Sequence, residues 1–111
     1  AQAEQFAFYR IPKALFTEPN FRELSTDAKV LYGILLDRMS LSLKNQWLDA
    51  QNKVYIIFTV EEIMDALNCA NQKATRLMVE LEKQAGLVER KRQGLCRPNL
   101  IYVKNFELWK R

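Results

Sequence analysis

Two short groups of polar side chains in this sequence have the residue types that read or grip a nucleic acid. The first is Asn71, Gln72, Lys73, Thr75 and Arg76. Glutamine can pair at two points with adenine, and arginine with guanine, so Gln72 and Arg76 are the candidates for reading base edges. Lys73 and Thr75 suit phosphate oxygens, and Asn71 suits either a helix cap or a DNA contact. The second group is Lys91, Arg92, Gln93, Arg97 and Asn99, spread around Gly94 and Pro98. Cations and amides on a loop fit phosphates or a minor groove.

Charge supports that pairing of groups. The 111 residues carry a net +4, yet residues 1–69 hold seven Lys/Arg against nine Asp/Glu, while residues 70–111 hold ten against four. A basic surplus confined to the last third of a chain suits a polyanion met on one face. Other chemistry finds little material. There is no histidine, and Cys69 and Cys96 lie far apart, so a metal centre is not expected and no cofactor is implied. The two thiols read as reduced and partly buried. Glu61, Glu62 and Asp65 fall in a helix-starting turn, Ser40 and Ser42 have no neighbouring base, and no glycine-rich phosphate loop is present. An enzyme is therefore not expected. The longest apolar run, Val54 to Phe58, is far below the ~20 residues that cross a bilayer. Nothing resembles a signal peptide, which points to the cytoplasm. A start at Ala1 rather than Met fits a fragment of a longer protein.

The elements that must position these groups follow from periodicity and punctuation. An arm, residues 1–24, is apolar without sustained period; Pro12 opens a helical turn, Pro19 ends it, and Phe6, Phe8, Phe16 and Phe21 are expected to pack over the core. Ser25 or Thr26 caps a helix with Asp27 in its first turn. Ala28, Leu31, Tyr32, Leu35, Leu36 and Met39 form its inner stripe, Ile34 and Leu43 widen it, and it fades between Leu41 and Asn45. Trp47 is expected in core or interface packing. Val54–Phe58 reads as a strand. Thr59 and Glu62 make a capping box for a short helix through Ile63, Met64 and Leu67. Asn68 and Cys69 break it.

A second helix then starts near Ala70 or Asn71, with Ala74, Leu77, Met78, Leu81 and Ala85 inward and Gly86 ending it. A 100° wheel puts Gln72, Arg76, Val79 and Lys83 on the outer face, flanked by Lys73, Thr75 and Glu80. Leu87–Arg92 and Leu100–Lys104 form a hairpin around a loop at residues 93–99, with Arg90 and Arg92 on one face and Lys91 on the other. The order is that of a mostly helical α+β domain, a winged helix-turn-helix with a β-hairpin wing. Residues 25–104 are its core and 105–111 a tail.

The sequence also resembles a known family. FYRIPKALF, LSTDAKVLYGILLDRMSLSLKN, VYIIFTVEEIMDALNCANQKATRLMVELEKQAGLVERKRQG and RPNLIYVKNF together resemble the amino-terminal domain of the RepA_N plasmid replication initiators. The resemblance spans residues 8–106. It implies a winged helix that binds double-stranded DNA at repeats in a plasmid origin. It also implies a separate carboxy-terminal part, absent here, that recruits host replication proteins. DNA-contacting positions carry over only to the helix from Asn71 and the wing from Gly94 to Asn99. Relatives often have serine where Ala70 stands; alanine caps poorly, which shifts the expected cap to Asn71. A homodimer is expected, through the arm or the tail Phe106–Trp109. Two other readings share the fold: a transcriptional repressor, and a winged helix used only for protein–protein interaction.

Overall fold

The computed structural model describes residues 7–104 and gathers them around one long helix. Helix α1 (Ala14–Thr17) belongs to the arm, and α2 (Thr26–Lys44) is the centre of the core. Helix α3 (Val60–Leu67) and α4 (Asn71–Val79) follow, and α4 runs on into a π-helical stretch, Glu80–Gln84. An antiparallel hairpin of β1 (Val88–Lys91) and β2 (Leu100–Val103) closes the described chain.

Local chemistry explains each start and stop. Ser25 caps α2, its Oγ accepting from the Ala28 amide at 3.2 Å, and Asp27 lies in the first turn. The side chain of Thr59 accepts from the Glu62 amide while Glu62 reaches back to the Thr59 amide, so the capping box of α3 is complete. Asn68 ends α3 in the left-handed region at φ 52°, and Gly86 ends the π-helical stretch at φ 66°. Leu81 stays fully buried within this stretch.

The core is made by α2, α4, Ile56, Phe58 and the inner faces of the hairpin. Ala28, Leu31, Tyr32 and Leu35 on α2 are fully buried, as are Ala74, Leu77 and Leu81. Each such leucine contributes about 1.5–3 kcal/mol of burial. The Tyr32 hydroxyl, at the centre, donates to the Lys104 carbonyl at 2.9 Å and ties α2 to the end of β2.

Three expectations need correction. Two of the arm's phenylalanines do not pack over the core, Phe8 being 82% exposed and Phe16 49% exposed; Phe21 does pack against it as expected, beside Ile11 and the fully buried Leu15. Phe16 lies under the Lys29 ammonium, 4.5 Å from its centroid, which uses the ring face and leaves its edge in water. Phe6 and the tail 105–111 lie outside the described residues. Leu43 is 39% exposed, because the core below the last turn of α2 has ended. Finally, Val54–Phe58 is not a continuous strand. It pairs at two points, Val54 with Leu48 and Ile56 with Ile101. Ile56 and Ile101 exchange both backbone hydrogen bonds at 2.9 Å, and β2 pairs along its length with β1 instead.

Gly33 explains how the arm crosses α2. A Cβ there would lie 2.8 Å from Ile11 Cγ1 and 3.0 Å from the Arg10 carbonyl oxygen. Gly33→Ala improves helix propensity by about 1 kcal/mol, but it presses on backbone that cannot rotate away. The expected result is a loosened arm: hydrogen exchange accelerates over residues 10–17 while α2 stays protected. Unchanged exchange in the arm would show that α2 itself shifts to admit the methyl group.

Candidate nucleic-acid interface

The turn between α3 and α4 is only Asn68, Cys69 and Ala70, and the fully buried Ala74 lets the two helices approach closely. Ala70 occupies the N-cap position with extended backbone and no side-chain hydrogen bond. Asn71 is the first helical residue, so the cap has not moved to it, and its side chain is exposed. Gln72, Thr75 and Arg76 are also exposed, and Val79 shares that face at 40% exposure.

Two cations of α4 are not free. The Lys73 Nζ sits 2.6 Å from Asp27 Oδ2, and Arg76 Nε is 4.0 Å from Glu80 Oε2. Glu80 was expected on the flank of the outer face; instead it turns inward. Its two oxygens accept from the Ser25 amide at 2.9 Å and the Ser25 hydroxyl at 3.0 Å. The Ser25 hydroxyl in turn accepts from Ala28, so a carboxylate on the α4 side fixes the first turn of α2. The sequence held one signal for this, the four-residue spacing of Arg76 and Glu80; the partners Ser25 and Asp27 come from another part of the chain.

In the hairpin, Lys91, Arg92, Arg97 and Asn99 are exposed, and the three cations have no ion-pair partner among the described residues. Gln93 is different: its amide donates to the Pro98 carbonyl at 2.8 Å and braces the loop from within. Gly94 (φ 123°) and Cys96 (φ 62°) supply the left-handed backbone that turns the loop. Cys96 is exposed, against the expectation of a partly buried thiol, while Cys69 is half-buried. Leu95 at the loop tip is 88% exposed. No group of three or more His, Cys, Asp or Glu able to hold a metal occurs among the described residues. None of their helices is long and apolar enough to cross a membrane.

Arg90 acts as a strut. Its Nε and Nη2 donate to Glu82 Oε1 at 2.9 and 2.6 Å, joining β1 to the π-helical stretch. These bonds hold the Glu82 carboxyl below its ordinary range, against the opposing effect of burial. A depressed carboxylate stabilises the fold fully above the ordinary pKa of about 4.5 and loses that contribution as pH falls through the lower folded value. Acid unfolding should therefore begin below that point. Arg90→Gln should flatten this part of the pH–stability curve, as followed by thermal melts. An unaltered curve would show that the strut carries no pH-dependent stability.

At the far end, Asp49 Oδ2 accepts from the Tyr102 hydroxyl at 2.8 Å, and Asp49 Oδ1 accepts from the Lys53 and Gln51 amides. The Lys53 amide, first, and Tyr102 lower the Asp49 pKa, while burial and then Asp49 raise that of Tyr102. Trp47 is 46% exposed and stacks on Tyr55 with centroids 6.3 Å apart, so it covers this loop rather than entering the core.

A short-turn helix pair leading into a two-stranded antiparallel hairpin defines a mostly helical α+β domain of the kind found at the amino end of DNA-binding proteins. It is similar to a structure described as the N-terminal domain of a DNA-binding protein, with a TM-score of 0.79 and 37% identity, over 98% of this chain and 86% of that one. A structure described as a Rep–DNA complex (TM-score 0.78, 37% identity, 98% of this chain and 87% of that one) is similar too. So is one described as an MDR initiator (TM-score 0.76, 40% identity, 96% and 88%). The chain belongs to the replication initiator protein A (RepA) N-terminus family, whose model matches residues 7–111. It is also 32% identical over 87 residues to a 41 kDa protein of Lactobacillus helveticus, covering 78% of this chain but only 24% of that protein's length.

Proposed function

We propose that this chain is a winged helix-turn-helix domain that binds double-stranded DNA sequence-specifically, at repeats in a replication origin, during initiation. One observation carries the reading: Asn71, Gln72, Thr75 and Arg76 are exposed at the amino end of the second helix of a tight pair. In such pairs that is the part of the helix that enters the major groove. Gln72 and Arg76 read bases; Lys73 and Thr75 hold phosphates, and Asn71 adds a further contact. The hairpin is the wing. Lys91, Arg92, Arg97 and Asn99 meet the backbone or minor groove, and Gln93 keeps the loop in shape for them. A solved relative at 37% identity is described as a Rep–DNA complex, which supports the same partner here.

The domain carries out no catalysis in this reading and needs no cofactor. It works in the cytoplasm as part of a longer initiator whose remainder engages host replication proteins. A second copy binds alongside, covering exposed apolar side chains such as Phe8 and Phe16.

Titration against a duplex selected from a random-sequence library, beside a scrambled duplex, tests the reading at two salt concentrations. The selected duplex should bind roughly a thousandfold or more tighter at physiological salt. Affinity for both should fall steeply as salt rises, because phosphate contacts release counterions. A folded sample that binds neither duplex at low salt would falsify the assignment and favour protein–protein interaction.

A further inference from the structure

Resting on the DNA reading above, we infer that Leu95 is an apolar wedge: the tip of the hairpin loop carries it into the minor groove, where it parts a base step and bends the duplex.

The loop is built to present this side chain. Leu95 is 88% exposed, more than any other large apolar side chain among the described residues. The Arg97 amide donates to the Gly94 carbonyl at 3.4 Å, which closes a four-residue turn with Leu95 and Cys96 at its corners. Cys96 stands at the second corner with φ 62°, where a turn of this kind ordinarily takes glycine or asparagine. A residue with a Cβ is strained there, so the closed loop holds the tip in a shape that a free chain would leave. Behind the turn, the Gln93 side-chain amide donates to the Pro98 carbonyl at 2.8 Å and braces the neck of the loop. A braced tip loses little freedom on insertion, so more of its contact appears as affinity.

The charges around the tip select the partner. Residues 90–99 hold four cations and no carboxylate, and of the four only Arg90 is in an ion pair among the described residues. Lys91, Arg92 and Arg97 draw the loop to a polyanion; an apolar protein surface would desolvate three charges without pairing them. On duplex DNA, phosphates flank a minor groove about 6 Å wide, and a leucine between phosphate-bound cations faces the base edges. Leucine has no donor or acceptor for those edges. Its way of binding there is to slide between stacked base pairs, as apolar side chains do in minor-groove proteins that kink DNA. The feature read is then the ease with which a step unstacks, greatest at pyrimidine–purine steps.

The test uses the 111-residue chain and the selected duplex, end-labelled so that energy transfer at saturating protein reports bending. The variants are Leu95→Ala, Leu95→Met and Leu41→Ala. Wild-type protein should bend the duplex by about 20° or more. Leu95→Ala should bind roughly 5- to 30-fold more weakly through lost apolar burial, with the bend reduced. Its log–log salt slope should be unaltered, since no phosphate contact is removed. Leu95→Met should restore affinity and bend, because methionine also serves as a wedge. Leu41, 48% exposed on α2, is the control for lost apolar surface in general, and Leu41→Ala should bind and bend as wild type. Thermal melts of the Leu95 variants should match wild type, because so exposed a side chain adds nothing to the core. Wild-type affinity and bend in Leu95→Ala would overturn the inference, as would equal losses in Leu41→Ala. So would a weakening that leaves the bend intact, which makes Leu95 a surface contact, or one with a shallower salt slope, which traces the loss to phosphates. Wild-type protein that binds neither the selected nor a scrambled duplex would overturn the DNA reading itself. A wild type that discriminates but leaves the selected duplex straight would overturn only the wedge.

Discussion

Arg76→Ala is expected to reduce the preference for the selected duplex over a scrambled one by about 1–3 kcal/mol, on the order of ten- to a hundredfold, without unfolding the domain. The side chain is 64% exposed and its one ion pair, to Glu80, is long at 4.0 Å. Turning the guanidinium toward a base therefore sacrifices little, since exposed pairs of this spacing contribute about 0.3–0.5 kcal/mol. Glu80 keeps its stronger bonds to Ser25 when Arg76 leaves, so removing the arginine does not undock α2. Arg76→Lys sharpens the test. Lysine keeps the charge but not the planar fork, so the salt dependence should survive while the preference is lost. Competitive titration with both duplexes reads this directly. Equal weakening on both would assign Arg76 to a phosphate and leave Gln72 as the base-reading residue.

The second large effect lies behind the same helix. Leu77→Ala is expected to destabilise the domain by about 2–5 kcal/mol, because Leu77 is fully buried where α4 packs on the core and its truncation leaves a cavity. At roughly 4–8 °C per kcal/mol for a domain of this size, thermal melts should fall by about 10 °C or more. Affinity for both duplexes should weaken together, in step with the folded fraction, and return on cooling with the preference intact, which separates this variant from Arg76→Ala. Val79→Ala on the exposed face of the same helix is the reference and should stay within about 0.5 kcal/mol of wild type. A Leu77→Ala loss below about 1 kcal/mol would mean that the surrounding side chains collapse into the space.

Much of the scaffold was legible in the order of residues. The helix from Ser25, the capping box at Thr59 and Glu62, the break at Asn68 and the stop at Gly86 all lie where the sequence placed them. The hairpin strands are shorter than expected by one residue at three of their four ends. These features depend on contacts within about four positions, which a linear pattern records directly. The arm was less legible. Pro12 and Pro19 bound its helical turn, but nothing local distinguishes the buried Leu15 from the exposed Phe8 and Phe16. Which of several apolar side chains reaches the core depends on where α2 presents Gly33 as a place for the arm to cross.

The sequence by itself determined the element order, the inward stripe of α4 and the concentration of cations in the last third of the chain. Tertiary structure alone decided which of those cations are compensated. Asp27 meets Lys73, and Ser25 meets Glu80, because two helices distant in the chain pack end against side. Ile56 pairs with Ile101 at one point where a longer strand was expected, on the edge of β2 opposite the one that β1 pairs along its length. Periodicity and capping are local energies, whereas charge compensation and strand pairing require the chain to return on itself.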